Sequence, residues 1–243
     1  DKCLHWKRLF DKIDIEEHNT ENVDLHLLSK ILSRHLKSND SVVCDSGFNE
    51  IILPSNIKFN DGSRCIHPIS QGAMGYAVPA AVGVNYSSNG SVFVIVGDGS
   101  IMMNIQELET IKYNKIPLKI LVINNNLYSI INKRQKELFR KRTIGTNKTN
   151  GLSCTNFKDL AKLYELEYFK ISSSKELDNK INEINKCDKP LLCEIIGKEN
   201  QYYTEVGYSR NKDGRFQRQP LEDLAPFIDR DLFYSEMIIK PIK

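Results

Sequence analysis

The chain has 243 residues, 40% of them hydrophobic and 27% charged, which is ordinary globular usage and excludes a wholly disordered or fibrous protein. Its 34 Lys+Arg against 31 Asp+Glu leave a net +3, too slight an excess to argue for a nucleic-acid partner, and its longest apolar runs are far too short to span a membrane. Six cysteines without a C-x-x-C pair read as reduced thiols of a cytoplasmic protein, not as a zinc site or a disulfide framework.

The chain opens at Asp1 with neither a methionine nor a visible signal peptide, as a processed or trimmed piece of something longer would. Residues 1–40 read as a lead-in. A polar stretch around Trp6 gives way to Val23, Leu27, Leu28, Ile31, Leu32 and Leu36 on one helical face, with Asn19 or Thr20 as the expected cap. From residue 41 onward, short apolar runs alternate with helical patterns. Ser41–Cys44, Val92–Val96, Leu118–Ile123 and Leu191–Ile196 are expected strands, nearly continuous in apolar character as in a parallel sheet buried on both faces. Ile101, Ile105, Leu108 and Ile111 recur at helical spacing, as do Phe157, Leu160, Ala161 and Tyr164, and Ser173-x-x-Glu176 is a capping box opening a helix over about 174–186. The alternation predicts an α/β fold over residues 41–200, a doubly wound, mostly parallel sheet with helices on both faces. Residues 201–243 read as a lid or interface tail, with 201–220 a long polar loop containing Gly207 and Gly214.

Ligands of such sheets sit at the carboxyl ends of the strands. After Val96 comes Gly97-Asp98-Gly99-Ser100, expected to lead into a helix, where glycines allow close backbone approach and free N–H groups suit phosphate. Asp98 would repel a bare phosphate, so it points to a bridging divalent cation; a tight βα turn with a solvated aspartate would also account for this motif taken alone. The next strand ends in Asn124-Asn125-Asn126, and Asn125 follows Asp98 by 27 residues, one helix and one strand later. A right-handed βαβ unit puts both side chains at one sheet edge. A carboxylate oxygen, an amide oxygen and a nearby backbone carbonyl form a hard donor set suited to Mg²⁺. Three asparagines in a row also fit a turn that tolerates left-handed backbone.

Asp98 to Asn125 resembles the Gly-Asp-Gly…Asn-Asn motif by which thiamine diphosphate (ThDP) enzymes hold Mg²⁺ and the cofactor diphosphate. The stretch Gly97–Asn125, with Asn104-Ile105-Gln106-Glu107-Leu108 and Pro117-Leu118-Lys119-Ile120-Leu121, looks like the acetolactate synthase branch, as does Gly72-Ala73-Met74-Gly75-Tyr76-Ala77 upstream. The resemblance covers about residues 40–200. It implies that Asp98, Asn125 and Leu127 hold the metal, and that Asn49, Gly97, Gly99, Ser100, Leu127 and Tyr128 join them around the cofactor. It also implies that Met74 wedges the cofactor into a bent shape while the Gly72 carbonyl accepts a hydrogen bond from its 4′-amino group. Without the family, Met74 on a small-residue helix would be read as core packing. The implied activity removes CO₂ from a 2-oxo acid such as pyruvate and passes an acetyl unit to a carbonyl acceptor, the hard chemistry belonging to the cofactor. Simple decarboxylation of the 2-oxo acid is the alternative.

Two parts of the longer relatives have no counterpart in the sequence. A pyrimidine-binding domain normally supplies the activating glutamate, usually from a neighbouring subunit, and a central domain binds FAD in true acetolactate synthases. The chain is therefore expected to be the carboxy-terminal part of a larger enzyme, at work as a homodimer or homotetramer; a separately encoded subunit is the alternative. Asp45-Ser46-Gly47-Phe48-Asn49-Glu50 stands where acetolactate synthases carry Gly-Gln-His-Gln, so Asn49 replaces a histidine. Arg134 takes the place of an acceptor-site tryptophan, within a basic cluster of Lys133, Lys136, Arg140, Lys141 and Arg142. The cluster fits a solvated helix face, or an anionic acceptor that Arg134 would bind. The tail around Gln219-Pro220-Leu221-Glu222-Asp223 resembles ThDP enzymes of surface-polysaccharide synthesis, which suggests a nucleotide-linked keto-sugar as acceptor. Of the histidines, His67 alone falls near a motif and could line the site; a structural or solvent-facing role is the alternative for an isolated histidine. A dinucleotide-binding domain is disfavoured because Met102 stands where a third glycine is wanted and no ribose-binding acid follows; a P-loop lacks its Gly-Lys-Ser/Thr. A regulatory protein that kept the fold and lost its chemistry would keep neither Asp98 nor Asn125 by necessity.

Overall fold

The computed structural model describes residues 1–10, 21–203, 208–210, 216–224 and 227–241. The chain divides into two compact units, Asp1–Gln201 and Tyr202–Lys243. In the first, α1 (Lys2–Phe10) is followed by α2 (Leu25–His35), β1 (Ser41–Cys44), α3 (Phe48–Asn56), β2 (Arg64–Ile66), α4 (Ala77–Ser87) and β3 (Val92–Gly97). Then come α5 (Glu107–Asn114), β4 (Lys119–Asn124), α6 (Ser129–Leu138), α7 (Phe157–Leu163), β5 (Glu167–Ile171), α8 (Leu177–Asn185) and β6 (Leu191–Ile196).

Six strands form one sheet in the order β2-β1-β3-β4-β6-β5, every pairing parallel. The α/β sheet expected from the sequence is thus observed. Alternation along each strand sends successive residues to opposite faces. Val92, Val94 and Val96 meet α4, α5 and α7 through Ala81, Ile111 and Phe157. Phe93 and Ile95, equally buried, point to the other face, where α2 packs against α3 and α8. Burying each such side chain is worth about 1.5–3 kcal/mol, and both faces of β3 benefit, which is why the strand reads as unbroken apolar sequence.

The strand order reverses between β1 and β3. The chain leaves β1 toward β2 through α3, then crosses back through α4 to reach β3. Crossovers run right-handed, so α3 and α4 fall on opposite faces and a crevice opens at the carboxyl ends between β1 and β3.

Several expectations are corrected. The lead-in helix is capped not by Asn19 or Thr20, which lie outside the described residues, but by Asp24, whose carboxylate accepts from the N–H of His26 at 2.8 Å. Val23 runs beside the end of β6 instead, its N–H donating to Ile196 at 2.9 Å. The stretch around Trp6 is helical, as α1. Gly97–Ser100 leads not into a long helix but into a 3₁₀ turn, Ile101–Asn104, with α5 starting only at Glu107. That turn lets the Asn104 amide donate to the Gly75 carbonyl at 2.9 Å. Met74 is not on a helix: Gly72 and Gly75 adopt φ of +59° and +78°, a conformation that interrupts any helix before Ala77. β2 and β5 were not foreseen, being short or only half-buried edge strands.

In the second unit, a stretch expected as loop holds a two-stranded antiparallel hairpin, β7 (Tyr208–Arg210) and β8 (Phe216–Arg218); Gly207 and Gly214 lie outside the described residues. It is followed by α9 (Arg230–Glu236), capped by Asp229, with Arg230 pairing with Asp223 at 2.7 Å.

Candidate active site

The carboxyl ends of β1, β3, β4 and β6 converge on a cleft of about 330 Å³. Every residue expected around the cofactor lines it: Asn49, Gly72, Met74, Gly97, Asp98, Gly99, Ser100, Asn125, Leu127 and Tyr128. Arg134 does not. It sits on α6, 3.1 Å from Glu137, and Lys133 pairs with the same carboxylate.

Asp98 is the centre of the arrangement. It follows the last residue of β3 and is 2% exposed. One carboxylate oxygen accepts from Gly99 N–H at 2.7 Å, the other from Asn126 N–H at 2.6 Å and Asn125 N–H at 3.1 Å. Asn126 reaches this position in a left-handed turn, φ +54°, which asparagine tolerates better than most residues. Burial pushes the Asp98 carboxyl above its usual range in spite of these three donors. A divalent cation at this carboxylate would offset the cost of burying the charge, the effect a bound metal has on its ligands.

The three asparagines have three different jobs. Asn124 donates to Glu194 at 2.6 Å and tightens the β4–β6 edge. Asn125 turns its backbone N–H to Asp98, while its side-chain amide donates to Ser129 Oγ at 2.9 Å and accepts from Leu127 N–H at 3.2 Å. Asn126 supplies backbone only. Leu127 is held by a bridge to Asn147, and Tyr128 N–H donates to Thr146 at 2.9 Å, so the segment from Asn125 to Tyr128 is anchored from behind.

The glycines leave room where a phosphate would lie. At Gly97 the nearest atom to an added Cβ would be Asn49 Nδ2, at 3.8 Å. At Gly99 a Cβ would come 1.9 Å from Tyr128 Cε1, so that position must be glycine for the ring to cover the turn. A buried acid, an amide and a carbonyl at one edge, beside a backbone stripped of side chains, fit a cation-bridged diphosphate in donor chemistry.

The opposite wall is set by Asp45, which is fully buried just beyond β1. It accepts from Gly75 N–H at 3.1 Å and Ala77 N–H at 2.9 Å, pinning the loop that carries Gly72 and Met74. Met74, 38% exposed, projects into the cleft and is not core packing.

Some lining residues carried no sequence signal. Lys198 and Gln201, beyond β6, reach Asp24 at 2.9 and 3.3 Å, and Gln201 accepts from Leu25 N–H at 2.9 Å. Burial alone would raise the Asp24 carboxyl, but hydrogen bonds from His26 and Lys198 hold it well below the usual range. These partners lie more than 170 residues apart in the chain, a separation no local motif spans. Glu50 also lines the cleft, with His67 behind it.

Residues 45–195 match the family described as thiamine pyrophosphate enzyme, C-terminal TPP binding domain. The chain belongs to that family, and its fold is that of a ThDP-binding domain. Among curated proteins it is similar to the acetolactate synthase large subunit of Cyanidium caldarium, 34% identical over 161 residues, which is 65% of this chain and 27% of that protein. It is also similar to the large subunit from Porphyra purpurea, 32% identical over 54% of this chain and 22% of the relative. With the acetolactate synthase isozyme 2 large subunit of Escherichia coli (strain K12) it shares 28% identity over 74% of this chain and 32% of the relative. The chain thus spans only a fifth to a third of these proteins. Among solved structures, the Rhodococcus jostii RHA1 thiamine diphosphate-dependent 4-hydroxybenzoylformate decarboxylase superposes with a TM-score of 0.67 at 23% identity, over 78% of this chain and 36% of that one, a likeness of fold.

Proposed function

We propose that this chain is the diphosphate-binding part of a ThDP- and Mg²⁺-dependent enzyme that removes CO₂ from a 2-oxo acid such as pyruvate and passes the remaining acetyl unit to a carbonyl acceptor. The observation that carries the reading is the buried Asp98 carboxylate, clamped by three backbone amides beside Asn125. Its family membership and its acetolactate synthase relatives support the same reading.

Asp98, the Asn125 amide and the Leu127 carbonyl would hold the cation. Gly97, Gly99 and Ser100, with Asn49 and Tyr128 alongside, would surround the diphosphate. Gly72, on the loop fixed by Asp45, would offer its carbonyl to the 4′-amino group, and Met74 would support the bend between the two rings. When bound, ThDP supplies the nucleophilic carbon and the electron sink that let the bond to CO₂ break. The protein's share is to position and to exclude water: Leu25, Ile123, Ile130 and Ile131 give the cleft an apolar lining, and Lys198, paired with Asp24, lines it too. A pyrimidine-binding domain from elsewhere in the assembly, a homodimer or homotetramer, would complete the pocket. The test is product analysis after incubation with pyruvate, ThDP and Mg²⁺. Release of CO₂ that needs both cofactors is expected, and its absence from an assembly containing a pyrimidine-binding domain would overturn the reading.

A further inference from the structure

Among the described residues, the titratable side chains lining the cleft are Glu50, Asp98, Tyr128 and Lys198. Three have other tasks. Asp98 faces its amides, Lys198 is bound to Asp24, and the Tyr128 ring lies against Gly99. Glu50 remains. It lies in the first turn of α3, with its side chain 14% exposed. One carboxylate oxygen is 3.4 Å from His67 Nδ1. The other lies on the Gly72 side, where an added Cβ would meet it at 3.9 Å. The carboxyl group therefore stands between a histidine and the loop that the reading above assigns to the reacting end of the cofactor. His67, 21% exposed, does not line the cleft and connects Glu50 toward solvent.

Loss of CO₂ from a 2-oxo acid leaves an electron pair on the former carbonyl carbon, and one proton must enter for each turnover. The proton goes to that carbon if an aldehyde is released, and to the acceptor's carbonyl oxygen if a carbon–carbon bond forms. We propose that Glu50 is the general acid that delivers this proton, leaving as carboxylate, and that His67 is the positioning residue through which water returns the proton. The proposal rests on the ThDP reading. It gives this chain its own acid–base group, separate from the glutamate expected on a pyrimidine-binding domain.

The test uses the assembly that includes a pyrimidine-binding domain, loaded with ThDP and Mg²⁺, with Glu50→Gln beside the wild type and pyruvate as substrate. Turnover is measured to product and, separately, with dichlorophenolindophenol, an oxidant that takes up the electron pair and so ends in acetate without protonation of that carbon. The ratio of product formation to dye-coupled CO₂ release should fall about 10²-fold in Glu50→Gln, the usual contribution of a general acid. Glu50→Asp should recover part of it. His67→Ala should lower the same ratio by a smaller factor and be restored by added imidazole. Calorimetry should show Glu50→Gln binding ThDP with Mg²⁺ within about two-fold of wild type, a difference under 0.5 kcal/mol. An unchanged ratio, or product and dye signals falling together, would overturn the proposal. A wild-type assembly, pyrimidine-binding domain included, that neither binds ThDP with Mg²⁺ nor reduces the dye would instead overturn the ThDP reading itself.

Discussion

The Asp45 carboxylate at the end of β1 holds the N–H of Ala77, the first residue of α4, at 2.9 Å across 32 positions of chain. Its other oxygen takes Gly75 N–H at 3.1 Å and Ser46 N–H at 3.0 Å. One buried side chain thus fixes both the start of a helix and the loop that carries Gly72 and Met74. Burial pushes its carboxyl up against the pull of these donors, so the fold bears a cost to keep this acceptor in place. Asp45→Asn would turn an amide N–H₂ toward at least one of three N–H donors. It should lower stability by about 1–3 kcal/mol, the cost of a buried polar group left unpaired. Urea unfolding measures the loss, and a change under 0.5 kcal/mol would remove Asp45 from this role.

Gly99→Ala tests the cover that Tyr128 gives the turn from Gly97 to Ser100. The new methyl would meet the Tyr128 ring, and displacing the ring should cost about 1–3 kcal/mol by overpacking. Affinity for ThDP with Mg²⁺ should fall by about tenfold or more, equivalent to 1.4 kcal/mol. Adding Tyr128→Ala should recover the stability, because the clash is between these two residues. Equal losses in the single and double variants would show that the strain lies elsewhere.

The Asp24–Lys198 pair predicts a pH dependence. The Asp24 carboxyl is held low in the fold, so the fold favours its ionised form. The stability it contributes is present above the unfolded value of about 4 and is lost as pH falls through the lower folded value. Asp24→Asn keeps a capping side chain for α2 but loses the charge. It should cost about 1 kcal/mol at neutral pH, allowing for partial solvent screening, and the difference from wild type should shrink below about pH 4. Thermal melts across that range check it, and a difference that grows toward acid would have the wrong sign.

The sheet could be read from the sequence because β3, β4 and β6 bury both faces, and unbroken apolar runs betray such strands. β6 was placed at Leu191–Ile196, and the Ser173–Glu176 capping box was foreseen and is present. β5, Glu-Tyr-Phe-Lys-Ile, is an edge strand with exposed and half-buried positions, so its pattern gives no such signal. The Asp98–Asn125 relation was visible because one crossover fixes the spacing. The contributions of Lys198 and Gln201 were not, since a strand-end segment meets Asp24 only once the whole sheet is formed. Met74 was placed on a helix because small residues favour one; the left-handed Gly72 and Gly75 decide otherwise.

Met74→Ala should separate packing from function. The side chain is 38% exposed on a loop, so stability should change by about 0.5 kcal/mol or less, as for other surface substitutions. Turnover of the loaded enzyme should nevertheless drop by about tenfold or more if Met74 supports the cofactor's bend, as a misplaced reacting group demands. Lost stability with full turnover per folded molecule would make Met74 a packing residue.

The central claim is that Asp98 anchors a cation-bridged diphosphate. Calorimetric titration of ThDP into wild type and Asp98→Ala, each with and without Mg²⁺, tests it most directly. The account predicts binding by the wild type that requires Mg²⁺ and is lost in Asp98→Ala, with the variant still folded by circular dichroism. Binding that is indifferent both to Mg²⁺ and to the loss of the Asp98 carboxylate would contradict it.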